Sequence, residues 1–145
     1  MRYKVFLDTN ILLSGIFFEG NEAKILDLVE IQLVTCDNVV AELREVVSKK
    51  LRYLKDRTLE IALLETERAI SDIEIIPEIK YKKKIKEAEA LITHKKDSHI
   101  LAAVLYAKPD FLITGDSHFF TERVKKVVRV INAKELLDSV KKKPS

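Results

Sequence analysis

The chain is poor in several residue types on which small enzymes often rely. It holds one cysteine, Cys36, among 145 residues. An intrachain disulfide is excluded, and a cysteine beside an apolar segment reads as a small buried hydrophobe. A cysteine nucleophile would need a nearby histidine, and no motif supplies one. The three glycines stand apart, so there is no Gly-rich loop to cradle a phosphate. The three histidines, His94, His99 and His118, lack metal-ligand spacing of the His-Glu-x-x-His kind. No serine sits in a nucleophile elbow. No apolar run approaches the roughly 20 residues that a bilayer-spanning helix needs. Met1-Arg2-Tyr3-Lys4 leads straight into a strand-like segment, without the features of a signal peptide. These absences predict a cytoplasmic protein without a membrane partner. Repeats, low-complexity stretches and linkers are also missing, which predicts one domain over residues 1–145. Its core runs from about residue 3 to 140 and ends in a short basic tail, Lys141-Lys142-Lys143.

Apolar residues make up 47% of the chain, enough for a sizeable single core, and the net charge of +3 is mildly basic. That balance permits nucleic-acid binding without requiring it. Positive charge gathers at Lys80, Lys82, Lys83, Lys84 and Lys86 around Tyr81, and again at Lys95-Lys96. Lys82, Lys83 and Lys84 are candidates for tracking RNA phosphates; the competing reading is a solvated helix end.

Strand and helix patterns alternate. Tyr3–Leu7 reads as a strand buried on both faces. Ala23, Leu26, Val29 and Leu33 have helical spacing, and Leu33 to Thr35 reads as a short strand. Asp37 or Asn38 can cap a helix reaching about Leu51. Leu59 to Ile70 gives a further helix face, and Ile73 to Ile76 a strand stopped by Pro77. Glu78 to Lys86 is the least regular stretch. A helix follows around Ala88 to Ile92, and another over Ser98 to Ala107. Strands are predicted at Phe111 to Thr114 and Val127 to Ile131. Asn132 and Glu135 are spaced to cap a last helix reciprocally. This rhythm predicts an α/β fold: three layers, αβα and Rossmann-like, around a mostly parallel sheet.

Four acids stand where acids are costly. Asp8 follows Val5-Phe6-Leu7. Glu42 interrupts the seam of Val39, Leu43, Val46 and Val47, and is predicted on the inner stripe of its helix. Asp97 opens the apolar segment from Ile100 to Leu105. Asp116 follows Phe111-Leu112-Ile113-Thr114-Gly115. Each has a purely structural reading, such as a helix cap for Asp97 or a turn residue for Asp116. Together they read differently. Sites in parallel sheets lie beyond the carboxyl ends of the strands, where Asp8 and Asp116 emerge. At about 4 Å and an effective dielectric near 20, each like-charged pair costs on the order of 4 kcal/mol. A divalent cation turns that repulsion into attraction, and Mg²⁺ or Mn²⁺ takes such hard oxygen ligands. One or two ions so held support phosphodiester hydrolysis. Thr9, Asn10, Thr114 and Ser117 flank the acids and can orient them or hold water. His118, near Asp116, is a candidate for touching a substrate phosphate.

Four segments carry a family resemblance, in order along the chain from Tyr3 to Ile131. Leu7-Asp8-Thr9-Asn10-Ile11-Leu12 resembles the opening motif of the PIN-domain nucleases. Val40-Ala41-Glu42-Leu43, Lys96-Asp97-Ser98-His99-Ile100-Leu101-Ala102-Ala103 and Leu112-Ile113-Thr114-Gly115-Asp116-Ser117-His118-Phe119 resemble its second, third and fourth motifs. The resemblance implies Mg²⁺- or Mn²⁺-dependent endoribonuclease activity, with Asp8, Glu42, Asp97 and Asp116 as catalytic metal ligands or water orienters. It also implies, as for many small stand-alone members, the toxin of a toxin–antitoxin pair: a protein often dimeric and held inactive by a small antitoxin. Some members carry a further acid just after the fourth motif, where this chain has Ser117, His118 and Phe119. Two alternatives stay open. One is a PIN-like nucleic-acid- or partner-binding module with weak turnover. The other is a Mg²⁺-dependent phosphatase, which would place an acid two residues after Asp8, where Asn10 stands.

Overall fold

Val5, Phe6 and Leu7 are fully buried in the first strand, β1 (Tyr3–Leu7), as a strand covered on both faces requires. The computed structural model describes residues 2–49 and 58–141, and among them no helix is long and apolar enough to cross a membrane. β1 lies at the centre of a five-stranded sheet with β2 (Ile31–Cys36), β3 (Glu74–Ile76), β4 (Phe111–Ile113) and β5 (Val130–Ile131). The order is β3-β2-β1-β4-β5, and every pairing is parallel. Parallel strands need crossovers, and helices supply them, burying the sheet between them as in Rossmann-like folds.

The winding reverses beside β1. From β1 the chain steps outward through β2 to β3. It then crosses back to place β4 on the other side of β1, with Leu7 beside Ile113. Such a reversal leaves a crevice at the carboxyl ends of the two central strands. The segments after β1 and β4 carry Asp8 and Asp116.

The helices are α1 (Thr9–Phe17), α2 (Asn21–Leu26), α3 (Asp37–Lys49), α4 (Leu59–Ile70), α5 (Glu78–Tyr81), α6 (Ile85–Leu91), α7 (Ser98–Ala107), α8 (Glu122–Lys125) and α9 (Ala133–Lys141). The reciprocal cap of α9 forms as predicted: Glu135 N donates to Asn132 Oδ1 at 2.8 Å, and Asn132 N to Glu135 Oε1 at 3.0 Å. Helix α7 has the predicted span, and five of its residues from Ile100 to Val104 are core.

Other expectations change. The helical spacing of Ala23 to Leu33 yields helix only to Leu26. From Ile31 the chain must extend to pair with Tyr3, and Val29 is left 80% exposed in the turn between. Sheet pairing overrides local periodicity there. Glu78 to Lys86 is more ordered than predicted, forming α5, a 3₁₀ turn at Lys82–Lys84 and the start of α6. Asp37 lies inside the first turn of α3. Its carboxylate accepts from Glu78 N at 2.8 Å and Tyr81 Oη at 2.7 Å, tying α5 to α3. Strand β5 is shorter than Val127 to Ile131, because only Val130 and Ile131 pair in register with β4. The predicted helix end at Leu51 and the tail lysines Lys142 and Lys143 lie outside the described residues. Cys36 is free and fully buried, and burial pushes its thiol up to about 11, so it packs rather than reacts.

Candidate active site

Asp8 leaves β1 and at once becomes the cap of α1, an element the apolar spacing alone does not reveal. Its Oδ1 accepts from Ile11 N at 3.1 Å, and its Oδ2 accepts from Thr114 Oγ1. The Thr114 hydroxyl in turn accepts from Asp116 N at 3.0 Å. Thr114 is fully buried at the end of β4 and thus links the carboxyl ends of the two central strands. Asp116 caps the 3₁₀ turn Ser117–Phe119, its Oδ1 accepting from His118 N at 2.9 Å. Phe119 pins that turn into the core.

Asp97 is buried at the start of α7 and makes no side-chain cap for it. Its carboxylate faces elsewhere: Oδ2 lies 3.2 Å from His118 Nδ1, and the same nitrogen lies 3.2 Å from Asp116 Oδ1. The ring of His118 stacks on that of His94, with centroids 3.6 Å apart and planes 17° from parallel.

Asp8, Thr9, Asn10, Glu42, Lys96, Asp97, Ile100, Asp116 and Phe119 line one small cavity of about 150 Å³. All four acids singled out by sequence meet there, drawn from four separate segments. Glu42 differs in one respect from expectation. It is exposed rather than on the inner stripe of α3, and reaches the cavity from its rim, because Val39, Val40, Leu43 and Val47 take the buried face. Asp8 feels the crowding. Burial, chiefly, lifts its carboxyl to about 6, with the charges of Asp116 and Glu42 pushing the same way. The bonds from Thr114 and Ile11 oppose the rise. Among the described residues, Thr9 Oγ1 is the buried side-chain polar atom left without a hydrogen-bond partner, and Thr9 lines this cavity. An orphaned hydroxyl beside converging carboxylates fits a cation and its water, since buried polar groups are otherwise paired.

The other two flanking residues differ from each other. Asn10 lines the cavity, whereas Ser117 is exposed and outside its lining. Lys82, Lys83 and Lys84 also lie outside the lining, and Lys84 Nζ pairs with Glu87 at 3.8 Å. Sequence reasoning passes over Lys96 as a cavity residue and His94 as the partner of His118. The signal for Lys96 is its place beside Asp97. His94 gives none, because its stack depends on the fold. A larger cleft of about 440 Å³ is lined by Gly15, Leu26, Leu33 and the mixed charges Asp27, Glu65, Arg68 and Asp72. Convergent carboxylates, not volume, single out the smaller cavity.

A PIN domain family model matches residues 4–118. No curated protein matches the chain at a significant level. Among solved structures, the chain is similar to VapBC2 from Rickettsia felis bound to a DNA fragment from its promoter. That match has 22% identity, covers 89% of this chain and 98% of the other, and has a TM-score of 0.63. PAE2754 from Pyrobaculum aerophilum matches with 12% identity over 97% and 91% of the two chains, TM-score 0.67. A toxin–antitoxin complex from Klebsiella pneumoniae matches with 17% identity over 89% and 97%, TM-score 0.65. At these identities the likeness is one of fold.

Proposed function

Since this chain belongs to the PIN-domain family, we propose that it is a divalent-metal-dependent endoribonuclease, the toxin of a toxin–antitoxin pair. The single observation that carries the chemistry is the convergence of Asp8, Glu42, Asp97 and Asp116 on one cavity at the sheet's reversal point. Asp8, Asp97 and Asp116 would hold Mg²⁺ or Mn²⁺, one ion or two, with Glu42 completing the set from the rim. When bound, such an ion supplies the compact positive charge that activates water and stabilises a phosphodiester under attack.

The chain's own groups do the rest. Thr114 fixes the rotamer of Asp8 and the backbone of Asp116 through one hydroxyl, keeping the two carboxylates in register. Asn10 and the unpartnered Thr9 hydroxyl offer polar contacts to water or to the substrate. Lys96 is the cation on the cavity lining, suited to hold the phosphate against its acids. Lys82 and Lys83, exposed on their turn, extend the basic surface along which an RNA backbone would run, with Lys84 beside them.

A small antitoxin protein is the proposed partner. The fold likeness to VapBC2 and to the Klebsiella pneumoniae toxin–antitoxin complex supports this reading. A homodimer is proposed with it, and the proposed setting is the cytoplasm.

The test is cleavage of a labelled RNA by purified wild-type protein and Asp8→Asn, with Mg²⁺ or Mn²⁺, and with EDTA added. Cleavage that requires the ion and falls by at least about a hundredfold in the variant is expected. Cleavage in EDTA, or an unimpaired variant, would overturn the nuclease mechanism. Ion-dependent RNA binding without turnover would assign the chain to the binding-module alternative.

A further inference from the structure

We propose that His118 is itself a metal ligand, forming with Asp97 and Asp116 a mixed oxygen–nitrogen site that favours a transition ion such as Mn²⁺ over Mg²⁺. The proposal rests on the divalent-metal reading above and goes beyond its all-carboxylate ligand set. Its ground is geometric. One donor atom from each of Asp97, Asp116 and His118 lies within 4.8 Å of the others. His118 Nδ1 is 3.2 Å from an oxygen of each acid. Two ligand atoms at right angles on an ion about 2.1 Å away lie about 3.0 Å apart. The two spacings that involve His118 therefore already stand close to that of neighbouring ligands, and the two carboxylate oxygens lie within 4.8 Å of each other.

The ring is also held for this work. Its backbone N–H donates to the Asp116 carboxylate, which keeps imidazole and acid together. Stacking on His94 fixes its plane. The next residue, Phe119, is buried and anchors the turn. Thr9 Oγ1, buried and unpartnered on the cavity that Asp97 and Asp116 line, independently marks space for a polar guest beside these two acids, while His118 adjoins them from outside that lining. His99, by contrast, engages Glu78 at 3.2 Å and lies outside this group.

The choice of ion follows from the donors. Mg²⁺ keeps to oxygen ligands and gives up water reluctantly, whereas an imidazole nitrogen suits the first-row transition ions. A fifth acid at this position would leave the site all-oxygen; histidine changes its preference.

The experiment uses the whole purified chain and Mn²⁺ alone as probe. Electron spin-echo spectra of the bound Mn²⁺ should show modulation from a directly coordinated ¹⁴N nucleus. That modulation should persist in His94→Ala and vanish in His118→Ala and His118→Gln, whose folding is checked by circular dichroism. In calorimetry, Mn²⁺ affinity should fall about tenfold or more in the His118 variants, while Mg²⁺ affinity changes less than about threefold, so the preference for Mn²⁺ collapses. Bound Mn²⁺ without nitrogen coupling, or an equal loss of both ions, would overturn the proposal and leave the nuclease reading standing. Nitrogen-coupled Mn²⁺ in a protein that cuts no RNA would uphold the ligand and defeat that reading. No binding of either ion to the wild-type chain would defeat both.

Discussion

At Asp8 two demands meet in one carboxyl group: it caps α1, and it faces other acids from a buried position. Its folded pKa of about 6 stands above the ordinary 3.8, chiefly because burial disfavours the charge. The native protein therefore holds this proton more tightly than the unfolded chain. The metal-free protein should lose stability as pH rises from about 4 to about 6, and the loss should remain above that window. A shift of about two units corresponds to about 3 kcal/mol. Asp8→Asn carries no charge to bury. In EDTA, chemical denaturation should find the variant more stable than wild type at pH 7.5 by about 1–3 kcal/mol, with the gap closing near pH 4. A gap independent of pH would mean that Asp8 is not the strained group. Thr114 offers a second test. Thr114→Val preserves shape and removes both hydroxyl bonds. It should cost about 1–3 kcal/mol and lower kcat about 10–100-fold with little change in KM. Steady-state kinetics with unchanged kcat would reduce Thr114 to a packing residue.

Among the elements, the contact between α1 and α2 sets how the segment after Asp8 is braced. A Cβ added to Gly15 would lie 2.6 Å from Leu26 Cδ1 and 3.1 Å from the Glu22 carbonyl oxygen. Alanine in a helix gains up to about 1 kcal/mol over glycine, but overpacking costs about 1–3. The Glu22 oxygen belongs to the backbone and cannot swing aside, so the clash should win. Gly15→Ala should lower the melting temperature by a few degrees, as a thermal melt would show. A rise would mean that α2 shifts freely. The same region shows what the sequence made legible. Strands with dense apolar runs, such as β1 and β4, and the long apolar α7 stand out, because burial on all sides leaves no other reading. Helix α1 does not. Its cap is Asp8, the very residue whose placement after a buried strand drew attention to chemistry instead. The early end of α2 was equally hidden, since the pairing of Ile31 with Tyr3 is a long-range demand. The acids were visible because each follows or interrupts an apolar segment, although only Asp8 and Asp97 prove to be buried and Glu42 stands exposed. The His94–His118 stack was not, because two histidines 24 positions apart carry no mutual signal until the fold aligns them.

Over the whole molecule, a modest net charge of +3 is distributed unevenly. Acids occupy the cavity, Lys96 stands on its lining, and Lys82 and Lys83 lie exposed beyond it. A polyanion would be drawn by the lysines and meet the carboxylates only with a cation between. RNA affinity should therefore fall with salt, and Lys96→Ala should reduce the slope of log K against log salt by about 0.7, one phosphate contact on a single strand. Neutralising Lys82, Lys83 and Lys84 together should flatten it further; an unchanged slope in filter binding would make that run a solvated face. Everything at this scale depends on a cation drawing together side chains that the fold brings to one crevice. The direct measurement is anomalous X-ray scattering at the manganese edge from crystals of the protein grown with Mn²⁺. The account predicts a peak within about 2–2.5 Å of carboxylate oxygens from Asp8, Asp97 and Asp116. A cavity without such a peak, with manganese absent or bound elsewhere on the surface, would contradict it.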